Sequence, residues 1–209
     1  MKFLVQKFGG TSVATREKRD QVVGHIAQAF QAGYAPVVVV SAMGRQGEPY
    51  ATDSLLALAS QGGGAISPRE MDQLLACGEI ISGTLLTNTL NGSGYKAVFL
   101  TGGQAGIITD EEFGSARIIK VQPAEILRLA REGHIVVVAG FQGLSEKGNV
   151  TTLGRGGSDT TAAALGVALN AECIDIFTDV EGIMTADPRI VEDARVLEKV
   201  TYNEICQLA

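Results

Sequence analysis

The chain has 209 residues, of which 45% are hydrophobic and 19% charged, with a net charge of −6 at neutral pH. That length supports one large domain with a substantial core, or two small ones. The acidic balance argues against non-specific nucleic-acid binding, and no apolar run approaches the length of a membrane span.

The elements alternate along the chain. An apolar strand over residues 3–8 ends in Gly9-Gly10-Thr11-Ser12. A helix is predicted over 13–32, with Val22, Val23, Ile26, Ala29 and Phe30 on one face. Residues 36–41 are a continuous apolar strand of the kind parallel sheets bury. A polar loop over 42–50 and a helix over 52–60 follow. Ser67-Pro68-Arg69-Glu70 then carries a Ser cap, Pro at the first helical position and an acidic first turn. The helix it opens should run to about residue 90. Strands are predicted at 95–100, 134–139 and 174–178. Short strands at 107–109 and 116–119 could pair as a hairpin, 123–131 reads as a helix, and 141–150 as a loop or small hairpin. Residues 179–193 read as irregular, and Thr201 caps a helix that the chain barely begins.

This alternation predicts a three-layer α/β/α sandwich with a mainly parallel central sheet. The Gly-rich and polar stretches after the strands should share one sheet edge, where such folds bind ligands. The N-terminus is too short and interrupted for a signal peptide. Cys77, Cys173 and Cys206 match no metal pattern and read as buried or free thiols of a cytoplasmic protein.

Residues 151–161, TTLGRGGSDTT, form the most informative stretch: a glycine-rich turn that runs into a helix. Ser158 or Asp159 is the expected N-cap. Backbone N–H groups there could hold an anion, with Arg155 adding a planar fork for carboxylate or phosphate. An ordinary capped loop would look the same. Lys7, at a strand end before Gly9-Gly10, could neutralise a phosphoryl group in flight or could simply snorkel to water. Glu79 lies among apolar neighbours on its helix, so it either reaches water at the stripe edge or receives a cation. His25 and His134 read as structural. There is no Walker P-loop, no protein-kinase catalytic loop and no dinucleotide fingerprint after the first strand.

Lys7-Phe8-Gly9-Gly10-Thr11-Ser12 together with Gly154-Arg155-Gly156-Gly157-Ser158-Asp159 resembles the aspartate kinases of the amino acid kinase family. Val40-Ser41-Ala42-Met43-Gly44, Gly78-Glu79, Gln104-Ala105-Gly106, Gly140-Phe141-Gln142-Gly143, Thr178-Asp179-Val180-Glu181-Gly182-Ile183 and Asp187-Pro188-Arg189 fall in the family's order. The resemblance extends over essentially the whole chain. It implies ATP-dependent phosphorylation of the side-chain carboxylate of L-aspartate, the first step toward lysine, threonine and methionine. It assigns Lys7 to the transferring phosphoryl group, Gly9 and Gly10 to phosphate contacts, and Asp159 to orienting Lys7. Arg155 would hold an aspartate carboxylate and Glu79 the ammonium, with Ser41, Thr52, Phe141 and Ser158 completing that pocket. Thr178, Asp179, Met184, Asp187 and Arg189 would line the nucleotide site. Mg2+ is expected on the ATP phosphates with few protein ligands, and a homo-oligomer is expected in the full-length protein.

Related kinases continue with a further lysine-containing segment and then regulatory ACT domains. Residues 1–209 therefore read as a kinase domain cut short at its C-terminal end, which would leave the ATP site incomplete. A glutamate or nucleotide acceptor, and a non-catalytic nucleotide-binding module, are the competing readings. Some family members carry a homoserine dehydrogenase fused downstream, a feature that residues 1–209 do not decide.

Overall fold

The computed structural model describes residues 1–178, 182–186, 190–191 and 193–201. In chain order these form β1 (Lys2–Phe8), α1 (Gly10–Val13), α2 (Arg16–Gln31), β2 (Tyr34–Val40), α3 (Thr52–Ala59), α4 (Pro68–Gly92), β3 (Ala97–Leu100), β4 (Ile107–Thr109), β5 (Ile118–Val121), α5 (Ala124–Arg131), β6 (Ile135–Ala139), β7 (Gln142–Ser145), β8 (Val150–Thr152), α6 (Gly157–Ala168) and β9 (Cys173–Phe177). Two units are distinguished, Met1–Phe177 and Thr178–Ala209. Within the second, Met184 bridges Val196 in antiparallel fashion, flanked by bonds from Thr185 N–H to Arg195 O and from Leu197 N–H to Ile183 O.

Side-chain alternation in the valine-rich strands builds two cores, one on each face of a parallel sheet of order β3-β6-β2-β1-β9. Val37, Val39, Val136 and Val138 pack with Ile126 and Leu129 of α5 and Leu165 of α6. Val38, Val40, Ile135 and Val137 pack on the opposite face with Val22 and Ile26 of α2 and Leu86 and Leu90 of α4. Full burial of each such side chain contributes about 1.5–3 kcal/mol. The chain runs from β1 through β2 to β3, then turns back to β6 and on to β9 at the far edge. Right-handed crossovers place helices on opposite faces when the direction of travel reverses, which is why α2 and α4 share one face while α5 and α6 share the other.

In register, Phe8 lies beside Val40 and Phe177, and Val40 beside Ala139. The loops that follow these strands therefore share one edge. β2 and β6 are neighbours whose onward connections leave toward different faces, so the crevice between their ends is the ligand position of an open α/β sheet.

Three local features depart from the sequence reading. The long first helix is broken: α1 ends at Val13, and Thr15 caps α2 by accepting the Lys18 N–H at 3.3 Å. The two short hairpins join, through parallel pairing of β4 with β7, into a second sheet of order β5-β4-β7-β8. Pairing between segments some 30 residues apart leaves no local signature, so alternation alone shows only the hairpins. Neither Ser158 nor Asp159 caps α6. The helix begins at Gly157, and Gly156 is the cap residue, in left-handed conformation with φ 73° and no side-chain bond. Its lack of Cβ admits that conformation, and the backbone itself closes the turn through Asp159 and Thr160 N–H bonds to the Gly156 carbonyl.

The Ser67 cap and Pro68 start of α4 are as expected, with Ser67 Oγ accepting the Glu70 N–H at 3.3 Å. Cys77 and Cys173 are exposed free thiols, while Cys206 and the helix expected after Thr201 lie outside the described residues. Among the described residues no helix is long and apolar enough to cross a membrane.

Candidate active site

A cleft of about 490 Å³ opens at the strand-end edge, and eight side chains singled out in the sequence line it: Lys7, Ser41, Thr52, Glu79, Phe141, Arg155, Ser158 and Asp159. They come from six separate stretches of chain. Lys7 is the penultimate residue of β1. Ser41 follows β2, Thr52 opens α3, Glu79 lies midway along α4, Phe141 follows β6, and the rest belong to the turn into α6.

Lys7 has the side-chain parity of Phe3 and Val5, so it faces α6 rather than α2. Only 8% exposed, it sets Nζ 2.8 Å from Asp159 Oδ1, in an ion pair that lacks hydrogen-bond alignment. Asp159 is in the first turn of α6, and its side chain stays half-exposed. Both members of the pair line the cleft.

Glu79 is built differently. It is 2% exposed, which removes the expectation that it might reach water at the edge of its stripe. Oε1 accepts the Ala42 N–H at 2.9 Å, and Oε2 has no hydrogen-bond partner. Burial pushes its carboxyl up to about 8, only partly countered by the Ala42 N–H. Gly78 makes this approach of α4 possible, since a Cβ there would lie 2.7 Å from the Ala42 methyl.

Phe141 holds a left-handed backbone with φ 66°, an uncommon conformation for a bulky residue. The Thr161 hydroxyl accepts its N–H at 3.1 Å, and its carbonyl accepts the Leu153 N–H at 2.8 Å. These bonds fix the point where β6 hands over to β7, at an expense of about 1–3 kcal/mol in backbone strain. Ser158 is packed against Gly140, where a Cβ would come within 2.8 Å of its own Cβ and Oγ. Arg155 is exposed and pairs with no described carboxylate.

Gly9 and Gly10 do not line this cleft. The Gly9 N–H is engaged by the Phe177 carbonyl at 3.2 Å, and a Cβ on Gly10 would collide with the Ala42 carbonyl, so the 42–44 loop passes directly over Gly10. Of the residues expected at the nucleotide, Thr178 and Met184 belong to the second unit, and Asp179, Asp187 and Arg189 lie outside the described residues.

The sequence reading missed Asp53 and Leu56, which line the cleft beside Thr52, while Leu75 lines it beside Glu79, on whose helix face its spacing puts it. Asp53 directly follows a residue already singled out, and Leu56 falls at i+4 from Thr52, so the same helical spacing that placed Leu75 could have found it. His25 tilts against Phe177 at 4.8 Å and His134 lies 3.3 Å from the Leu129 carbonyl; neither lines the cleft.

Chemically, the cleft offers a lysine held by a counter-ion, a free guanidinium and a buried carboxylate with one open oxygen. That set fits a zwitterion with an additional anionic group.

Residues 2–209 match the model of the amino acid kinase family. Aspartokinase 1 of Bacillus subtilis is 58% identical over 209 residues, covering all of this chain and 52% of that protein. The crystal structure of aspartate kinase from Synechocystis superposes with a TM-score of 0.81 at 44% identity, covering 99% of this chain and 33% of that one. Escherichia coli aspartokinase III, solved in complex with aspartate and ADP, superposes with a TM-score of 0.84 at 29% identity, covering 100% of this chain and 56% of that one. The chain spans about half the length of the curated relatives it matches.

Proposed function

The chain belongs to the amino acid kinase family, and from that premise we propose that the full-length protein transfers the γ-phosphoryl group of ATP to the side-chain carboxylate of L-aspartate. The product is 4-phospho-L-aspartate. The observation that carries this reading is the open Oε2 of buried Glu79 in the same cleft as the unpaired Arg155. A buried carboxylate oxygen without a partner is costly unless a ligand donor completes it, and an α-ammonium does so.

In this reading Glu79 takes the ammonium, while Arg155 takes one carboxylate through its two-pronged fork. Ser41, Thr52 and Ser158 supply hydroxyls, and the ring of Phe141 closes one wall. The second carboxylate of aspartate then points toward Lys7. Its oxygen attacks the γ-phosphorus, the bond to the β-phosphate oxygen breaks, and ADP leaves with the bonding electrons. Lys7 Nζ, aimed by Asp159, balances the charge spread over the phosphoryl oxygens as they pass. The carboxylate is already ionised, so positioning matters more than proton transfer.

Mg2+, when bound, neutralises charge on the ATP phosphates. It needs only one or two protein carboxylates alongside phosphate oxygens, a number that half-exposed Asp159 and exposed Asp53 can supply. Among the described residues no group of three or more His, Cys, Asp or Glu side chains could hold a metal. A phosphate contact from Gly10, and nucleotide contacts from Thr178, Asp179, Met184, Asp187 and Arg189, belong to the same reading, while the Gly9 N–H is already held by the Phe177 carbonyl. So do a cytoplasmic location and a homo-oligomer, the latter measurable by sedimentation.

A coupled ADP-release assay of the full-length protein with aspartate, glutamate and uridylate tests the reading. Aspartate-dependent ADP release well above the other two supports it. Release driven by glutamate or uridylate instead, or by none, would overturn it.

A further inference from the structure

Asp72 is fully buried near the start of α4, two helical turns before Glu79. Among the described residues no cation pairs with it. Its oxygens accept three bonds from neutral donors: Thr152 N–H at 2.8 Å and Gly114 N–H at 3.1 Å on Oδ2, and Thr152 Oγ1 at 2.8 Å on Oδ1. Thr152 is the last residue of β8, and Leu153-Gly154-Arg155 follow directly. Thr152 O in turn accepts the Ala116 N–H at 2.8 Å, and the Gly114 carbonyl lies against Gly154, 3.3 Å from where a Cβ would stand. The carboxylate therefore fastens two separate chain segments, the end of β8 and the 114–116 loop, to the helix that carries Glu79.

We propose that Asp72 is a positioning residue for the acceptor pocket: by pinning the end of β8 to α4 it sets the distance between Arg155 and Glu79, and so the length of dicarboxylate the pocket accepts. This rests on the acceptor assignment proposed above. A rigid α-helix fixes Glu79 relative to Asp72 at about 10 Å along the axis. Only two residues, Leu153 and Gly154, separate the pinned Thr152 from Arg155, so the pin removes most of the freedom of that short arm. Among the described residues the partners of this carboxylate are the three neutral donors. It is a costly arrangement for mere cohesion, because an apolar pair at the same place would spare the desolvation of a charge. Gln142 Nε2, bonded to the Ala76 carbonyl at 2.9 Å, braces the neighbouring strand to the same helix but lies farther along the chain from Arg155.

The test is steady-state kinetics of full-length wild type, Asp72→Ala, Asp72→Asn and Thr152→Val, with aspartate, glutamate and ATP each varied. Asp72→Ala leaves three donors unpaired and should raise the aspartate KM by about tenfold or more while the ATP KM stays within about twofold. Its preference for aspartate over glutamate should fall, since one methylene is discriminated only by a pocket of fixed length. Asp72→Asn keeps an oxygen for the two N–H groups and turns its amide toward the Thr152 hydroxyl, so it should restore the aspartate KM to within about threefold of wild type. Thr152→Val removes one bond and should give an intermediate rise.

Aspartate and ATP KM rising together in Asp72→Ala, or an unchanged acceptor preference, would overturn the proposal. Should Asp72→Ala fail to fold, an unchanged aspartate KM in Thr152→Val overturns it equally. Wild-type protein without aspartate-dependent ADP release would instead overturn the acceptor assignment itself, and this proposal with it.

Discussion

Two charged side chains reach the cleft from almost complete burial, and they are built in opposite ways. Lys7 has its counter-ion, with Asp159 at 2.8 Å. Glu79 has one N–H from Ala42 and an oxygen with nothing on it. The first is a finished electrostatic unit that needs no ligand to be stable. The second is unfinished, and the missing half has to come from outside. On the proposed function the difference separates their jobs: a paired charge would be held ready for the transition state, and an unpaired one would bind the ground state. The largest effect should come from breaking the finished side. Lys7→Ala should lower kcat by on the order of 10³-fold while nucleotide affinity changes little. Its partner Asp159 is half-exposed, so the loss leaves no buried orphan charge and the fold should survive. Isothermal titration with ATP beside turnover assays measures both. A preserved kcat would take Lys7 out of the chemistry.

Breaking the unfinished side should show in the substrate instead. Glu79→Gln keeps shape and the Ala42 bond but removes the charge that would meet an ammonium. We expect the aspartate KM to rise on the order of a hundredfold with little change in ATP KM. Melting curves should show this variant at least as stable as wild type near pH 8, because it no longer buries an ionisable group. Arg155→Ala should follow with a smaller effect, since the guanidinium is exposed and works in wetter surroundings. An aspartate KM raised by about thirtyfold against about twofold for ATP is the expected split. Equal effects on both substrates would contradict its place in the acceptor pocket.

The two sides also differed in how far the sequence disclosed them. Lys7 and Asp159 were legible because each stands at a fixed place relative to a strong element, a strand end and a helix start. Glu79 was legible only as a question. Its apolar neighbours allowed either an edge position or burial, and the Ala42 N–H that decides for burial comes from a loop 37 residues away. The alternating parallel core could be read from the valine runs, since both faces of such strands are covered. The β5-β4-β7-β8 sheet could not, because the β4–β7 pairing is non-local. The cap of α6 was misjudged for a physical reason: Ser158 and Asp159 are good cap residues, but Ser158 is packed against Gly140 and Asp159 faces Lys7, so the turn closes at Gly156 instead. Nothing about Phe141 announced its left-handed backbone, which follows from its bonds to Thr161 and Leu153.

The smallest predicted effect sharpens the contrast most directly, because it depends on Glu79 lacking a counter-charge. Burial raises its carboxyl from 4.5 to about 8. The folded protein without substrate therefore keeps a proton that the unfolded chain gives up near pH 4.5. Between those two values the folded state binds more protons, so stability is full below about 4.5 and declines as pH rises through about 8. Glu79→Gln should abolish this component, and the difference between the two melting temperatures should narrow toward acid and widen toward pH 8. Binding runs the other way. Only the ionised form can accept an ammonium, so a zwitterionic substrate must first displace the proton. From pH 7 to pH 8 the ionised fraction rises by about fivefold for a group titrating near 8, and the aspartate KM should fall by about the same factor. The ATP KM has no such dependence on Glu79. Titrations in buffers of differing ionisation enthalpy should register proton release on aspartate binding near pH 7, absent in Glu79→Gln. An aspartate KM flat across this range, with no proton released, would mean that Glu79 is already ionised and has a partner in solution, and the contrast between a finished and an unfinished charge would fail.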